Sequence, residues 1–247
     1  MVTGSSSGIG AATALWFAQR GHDVVINYSR HPEPAQRVSQ QCRASGADVL
    51  VVQADVSDNT QCLALADAVR ARWGGADVLI NSAGITTRFA DIRELDALTA
   101  LDFEATYRVN VIGTFLMCRA LAPLLKERAN AAIVNISSMA ARMGTGSSIA
   151  YAASKGALNT LTLCLARSLA PDVRVNAILP GMVDSDWLRK GLGAEAFEAR
   201  RQRYASRALL GAVIDVQDVA RTAYWLATEA GKSTGQLVEL DAGFMLG

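Results

Sequence analysis

The strongest constraint on this chain is a rhythm. Short runs of β-branched and other apolar residues are closed by turn residues and followed by longer Ala- and Leu-rich stretches with helical spacing. The runs are Val24–Ile26, Val49–Val52, Val78–Ile80, Ala132–Ile136, Val173–Ile178 and Gln236–Leu240. Because they are mostly apolar rather than alternating, they predict strands covered on both faces, as in a parallel sheet. With right-handed crossovers the result is α/β: a doubly wound parallel sheet of about seven strands flanked by helices, with its ligand crevice at the carboxyl ends of the strands. No repeat, low-complexity tract or Pro-rich linker interrupts residues 1–247, so one domain is expected. The first strand is the exception. Only Met1 and Val2 precede a glycine-rich turn, so that strand is either very short or begins upstream.

Composition narrows the function classes. With 51% hydrophobic and 19% charged residues the chain can bury a large core, and its net charge of +1 creates no field for nucleic acid or an anionic membrane. No stretch reaches the roughly 18 continuous apolar residues of a membrane span, and the start lacks the basic and apolar regions of a signal peptide. A cytoplasmic protein is expected. Cys42, Cys62, Cys118 and Cys164 are far apart, with no C-x-x-C pair and no histidine cluster, so buried free thiols and no metal site are expected.

The turn Thr3-Gly4-Ser5-Ser6-Ser7-Gly8-Ile9-Gly10 leads into a helical pattern from Ala11. Glycines at 4, 8 and 10 let the backbone approach a pyrophosphate, with Ser6, Ser7 and Ile9 beside them and the amides of the helix start attracting its charge. Ala11-Ala12 after the last glycine excludes a Walker loop. At the end of the second run, Asn27-Tyr28-Ser29-Arg30 contains no carboxylate to hold a ribose diol, and Arg30 suits a 2′-phosphate. Tyr28, Ser29 and Arg30 therefore favour NADP(H), with NAD(H) as the alternative. Tyr151 and Lys155 stand four residues apart (155 minus 151) in the helical segment Ile149–Leu169, on one face about a turn apart. A neighbouring ammonium favours phenolate, so Tyr151 is expected to be more acidic than an ordinary tyrosine and to serve as general acid or base.

The ordered motifs Gly4-x-x-x-Gly8-Ile9-Gly10, Asp55-Val56, Asn81-Ser82-Ala83-Gly84, Asn110, Ser137-Ser138, Tyr151-Ala152-Ala153-Ser154-Lys155, Pro180-Gly181, Thr234-Gly235-Gln236 and Asp241-Ala242-Gly243 cover the chain. In this order they strongly resemble the short-chain dehydrogenase/reductase family, and in general likeness its 3-oxoacyl-carrier-protein reductases and sugar, polyol or steroid dehydrogenases. The resemblance implies a catalytic tetrad of Asn110, Ser138, Tyr151 and Lys155. Ser138 would bind the substrate oxygen, Tyr151 would move its proton, Lys155 would hold the nicotinamide ribose, and Asn110 would complete a proton relay. It further implies cofactor contacts from Asp55, Val56, Asn81, Ala83, Gly84, Pro180, Gly181, Val183 and Ser185, and homotetramers or homodimers. The implied reaction is hydride transfer between a nicotinamide and a small ketone or secondary alcohol. Met139, Met143, Met182 and Trp187 are expected to line the substrate pocket, with Arg88 and Phe89 further out, under a lid at 182–210. A carrier-protein substrate is the alternative, weakened by the single arginine in Glu127-Arg128-Ala129-Asn130. A non-catalytic dinucleotide-binding regulator is the rival from another class, and the intact tetrad opposes it.

Overall fold

In the computed structural model, which describes residues 1–247, all six apolar runs are parallel strands: β1 (Val24–Tyr28), β2 (Val49–Gln53), β3 (Val78–Asn81), β4 (Ala131–Ile136), β5 (Val173–Pro180) and β6 (Leu237–Leu240). Pairing runs β2–β1 on one side and β3–β4–β5–β6 on the other. Val2 joins the two groups by bridging Ile26 and Ile80. Val2 thus stands in the position expected for the first strand. It is secured by backbone bonds from Val2 to Val25, Thr3 to Ile80, and Ile80 to Met1.

Helices cover both faces. One core cluster packs α1 (Gly8–Ala18), α2 (Pro32–Ala44) and α10 (Val216–Thr228) on the sheet through Phe17, Val38 and Leu226. The other packs α3 (Asn59–Trp73), α5 (Thr114–Lys126) and α7 (Ile149–Leu169) through Leu65, Leu121 and Leu165. In β4 the sides alternate: Ala131 and Ile133 belong to the second cluster, and Ala132, Val134 and Ile136 to the first. Each buried Leu, Ile or Val contributes about 1.5–3 kcal/mol relative to exposure, so a strand wetted on either side would be far less stable.

The chain runs outward from Val2 to β1 and β2, then returns to β3 on the other side of Val2. That reversal opens a crevice at the carboxyl ends of Val2 and β3. The remaining helices are α4 (Ala100–Tyr107) with a π-helical turn at Arg108–Gly113, α6 (Ala140–Met143), α8 (Asp186–Leu192) and α9 (Ala194–Arg207). The continuous helical run Ala100–Lys126 has the length and hydropathy of a membrane span, but half of that window is buried within the protein, as in a core helix. Cys42, Cys62 and Cys118 are buried as expected, whereas Cys164 is exposed, because it lies on the side of α7 turned away from the sheet.

Candidate active site

The glycine turn and the loop after β3 meet at the crevice. Gly4 has φ +60°, and a Cβ there would come within 2.8 Å of Ala83 Cα, so the two loops touch through hydrogen only. Thr3 Oγ1 accepts from the amides of Ser82 and Ala83 at 3.0 and 3.1 Å. Asn27 Oδ1 accepts from Gly4 N at 3.0 Å, while its Nδ2 donates to Val52 and Ala54 carbonyls. Gly8 faces open space at φ +54°, and Ser7 starts α1 without a side-chain cap. The first amides of this 11-residue helix therefore remain free to bind an anion. A close-approach turn with open amides fits the pyrophosphate of a nicotinamide dinucleotide.

Around this turn, Ser7 and Gly8 are exposed, Ser6 and Ile9 are half-buried, and Gly10 is buried against the Gly4 carbonyl. Tyr28 ends β1 half-buried, followed by exposed Ser29 and Arg30; Arg30 forms no salt bridge. Asp55 is half-buried and accepts from Ser57 N and Oγ at 2.9 and 2.7 Å. Val56 is buried, and Gly113 packs against it so closely that a Cβ would meet Val56 Cγ2 at 2.9 Å. Asn81 is a brace: its Nδ2 donates to Asn135 Oδ1 at 2.9 Å, and Asn135 Nδ2 donates to Thr162 of α7.

Helix α7 carries Tyr151 and Lys155 because Ser148 caps its start, accepting from Tyr151 N at 3.1 Å. Buried bonds then tie the helix to β4 and the chain after it. Lys155 Nζ donates to Ile136 O at 2.7 Å, and Ser137 Oγ donates to Asn159 Oδ1 at 2.6 Å. Ser137 is thus committed to structure. Ser138 Oγ accepts from Ala140 N and stands beside the Tyr151 hydroxyl. Asn110, fully buried in the π-helical turn, donates to Ile85 O and Ser154 Oγ at 2.9 Å each and accepts from Ile85 N at 2.8 Å. A π-helical turn widens the backbone where a side chain must be re-aimed. Ser154 in turn donates to Tyr151 O at 2.7 Å, linking Asn110 to the turn of α7 that carries Tyr151. A Cβ on Gly84 would lie 3.5 Å from both Asn110 Oδ1 and Lys155 Nζ, so this exposed glycine marks the approach to the lysine.

The expected electrostatics need correction. Burial pushes Tyr151 up to about 12, against a smaller lowering from Ser138. Burial also brings Lys155 down to about 8. The Lys155 ammonium lies 5.6 Å from the Tyr151 ring centroid and points to the Ile136 carbonyl, so in the protein alone desolvation outweighs its pull on the phenol.

The residues expected around the substrate divide into packing and accessible groups. Met139 is 1% exposed and packs with Ala177 and Leu179; Met182 packs with Phe197, Tyr204 and Phe244. Met143 is half-buried, Arg88 is exposed, and Trp187 is 43% exposed, 6.0 Å from the Tyr151 ring and 5.2 Å from Phe89. Ser185 caps α8, accepting from Leu188 N at 3.4 Å. Pro180 closes β5, and Val183 bridges Ile214. Gly181 donates to Leu240 O, and a Cβ there would strike the Tyr204 ring. Thr3, Asn27, Ser148, Ser154 and Tyr204 were given no role by sequence reasoning. Asn27 is legible in retrospect as a polar residue ending an apolar run, and Ser148 as an N-cap; the bonds of Ser154 and Tyr204 span distant segments and leave no local signal.

Comparison with known proteins agrees with this arrangement. The family described as "Enoyl-(Acyl carrier protein) reductase" matches residues 4–245. The 3-oxoacyl-[acyl-carrier-protein] reductase FabG of Staphylococcus aureus is 30% identical over 248 residues, covering 100% of this chain and 97% of that protein. A Burkholderia xenovorans protein described as a short-chain dehydrogenase/reductase has a crystal structure that superposes with a TM-score of 0.92 at 44% identity, covering 100% of this chain and 98% of its own. The structure of NAD+-bound xylitol dehydrogenase superposes at 0.88 with 26% identity over 98% of this chain and 96% of that one. A single α/β domain, a nucleotide turn at the sheet's switch point and near-complete matches lead to one conclusion: the chain belongs to the short-chain dehydrogenase/reductase family and is an oxidoreductase that binds NAD(P).

Proposed function

We propose that this protein interconverts a small ketone and a secondary alcohol using NADP(H), with Tyr151 as the general acid/base. The observation that carries this reading is the half-buried Tyr151, flanked by the Ser138 hydroxyl, which accepts only from Ala140 N and keeps its own proton to donate, and by the buried ammonium of Lys155. A nicotinamide dinucleotide held on the glycine turn supplies or accepts the hydride at the substrate carbon. Ser138 and Tyr151 hold the substrate oxygen. In reduction Tyr151 donates its proton to that oxygen, and a phenol kept protonated by burial suits that direction. Lys155, charged below about pH 8, limits the cost of the phenolate that remains. Asn110 holds the Ile85 backbone and Ser154, keeping the loop after β3 and α7 in fixed relation, and in the proposed mechanism would complete a proton relay toward Lys155. Asp55, Val56, Ala83, Gly84, Pro180, Gly181, Val183 and Ser185 border the cofactor's path along the crevice.

Preference for NADP(H) follows from Arg30, exposed and without an ion pair beyond β1, in a stretch lacking a carboxylate. Residues 182–210, with α8 and α9, form the lid. The enzyme works in the cytoplasm as a homotetramer or homodimer, for which exposed Leu101, Ile112 and Phe115 and, on α7, Leu163 offer apolar surface. A ketoacyl thioester is the second reading, favoured by the names of relatives such as the Staphylococcus aureus reductase.

Assaying NADPH and NADH oxidation with a ketone panel tests the reading. Tyr151→Phe is expected to fold and bind NADPH but to lose turnover by about 10²–10⁴-fold; near-normal turnover would overturn the role of Tyr151. Arg30→Asp should lower kcat/KM for NADPH by at least about tenfold and spare NADH, since one charge-assisted phosphate contact is worth about 1.5–3 kcal/mol.

A further inference from the structure

We propose that Phe89 and Trp187 determine specificity, forming an aromatic wall beside Tyr151 that selects a flat, aryl-bearing ketone or the matching secondary alcohol. This rests on the oxidoreductase reading above and names its substrate class.

Three rings from three segments stand in a row. Trp187, in the first turn of α8, lies 6.0 Å from Tyr151 at an interplanar angle of 39°, and Phe89, in the loop after β3, lies 5.2 Å from Trp187 at 52°. Trp187 remains 43% exposed although its ring is large and apolar, so it offers a face that the protein's own core does not use. The row is fixed from both sides. Ala90 N donates to Ser147 O at 2.9 Å, and Thr86 Oγ1 pairs with Ser148 Oγ at 3.1 Å, the same serine that caps the helix of Tyr151. On the opposite side the Phe89 ring lies directly against the backbone of Gly191 in α8, where a Cβ would fall 2.7 Å from Cδ2 and closer still to two other ring atoms. Gly191 therefore lets α8 settle onto Phe89 with Trp187 turned toward the tyrosine.

Such a wall discriminates by chemistry. A ligand ring gains offset or edge-to-face contacts with the exposed indole, whereas a polyhydroxylated chain would lay hydroxyls against rings that cannot pair them. On α8, Arg189 is paired with Asp184 at 2.8 Å.

The test compares 4-phenyl-2-butanone, 4-cyclohexyl-2-butanone, 2-butanone, a ketose and levulinate as substrates of the intact enzyme with NADPH and NADH. The phenyl ketone is expected to exceed its cyclohexyl counterpart by about tenfold in kcat/KM. Trp187→Leu and Phe89→Leu should each bring the ratio of kcat/KM for the phenyl ketone to that for its cyclohexyl counterpart down to within about twofold of one. Highest activity with the ketose or levulinate, or a preference that survives both substitutions, would overturn the proposal. A second readout does not need turnover: in Tyr151→Phe with cofactor present, the phenyl ketone should quench tryptophan fluorescence, and adding Trp187→Leu should abolish that quenching. Quenching without turnover of any compound by the unsubstituted enzyme would remove the oxidoreductase reading and leave the aromatic site standing. Turnover without aryl preference would do the reverse.

Discussion

Helix α7 and the α8–α9 pair both border the crevice, yet they are held in opposite ways. Ten of the 21 residues of α7 are buried, four of them polar or charged: Ser154, Lys155, Asn159 and Thr162. Each of these four is hydrogen-bonded, to Asn110, Ile136, Ser137 and Asn135 respectively, so the helix is tied down by groups that would be costly to leave unpaired. Helix α8 buries no residue at all, and α9 buries only Phe197 and Tyr204, in a cluster of five separate from the main cores. The difference separates two tasks. In the proposed mechanism, proton transfer needs Tyr151 and Lys155 fixed to fractions of an ångström, whereas substrate entry needs a border that opens at low cost.

The largest expected effect that breaks this contrast comes from pH. Lys155 is charged below about 8, so in the reductive direction kcat/KM should be level below that pH and fall about tenfold per unit above it as the ammonium is lost. A profile flat to pH 10 would detach Lys155 from the chemistry. The same burial makes the lysine costly to fold around while it is charged, a cost present below about 8 and relieved as pH rises toward its ordinary 10.5.

A smaller effect is expected at Ser154, which acts through its neighbours. Ser154→Ala removes the partner of both Asn110 Nδ2 and the Tyr151 carbonyl. It should lower kcat by about tenfold with KM nearly unchanged, cost about 1–3 kcal/mol in denaturant unfolding, and be rescued by Ser154→Thr, which keeps the hydroxyl. Equal losses in Ser154→Ala and Ser154→Thr would reduce Ser154 to packing.

The smallest effect sharpens the other side. Tyr204→Phe keeps the stack on Phe244, with centroids 4.2 Å apart, and removes the bond to Asp241 O. Stability should fall by about 1 kcal/mol, and KM should rise two- to fivefold with kcat within a factor of about two, because the loss is felt at Gly181 and the lid. A kcat loss as large as that of Ser154→Ala would erase the distinction between the two regions.

Much of this architecture is legible in the chain because it is local. Apolar runs bounded by turns mark β1 to β6, and glycines at 4 and 8 mark backbone with positive φ. The four-residue spacing of Tyr151 and Lys155 sets them on one helix face whatever surrounds them. The tertiary structure decided what depends on neighbours far along the chain. That Val2 sits between the two groups of strands follows from its partners at Ile26 and Ile80. That Ser137 is spent and Ser138 is available depends on Asn159, one helix away. That Met139 and Met182 pack while Trp187 stays partly exposed beside Tyr151 depends on which clusters they meet. The acidity of Tyr151 is the clearest case. The sequence places an ammonium one turn away and so points downward; only the fold determines how much water both groups lose, and that loss drives the phenol up and the lysine down.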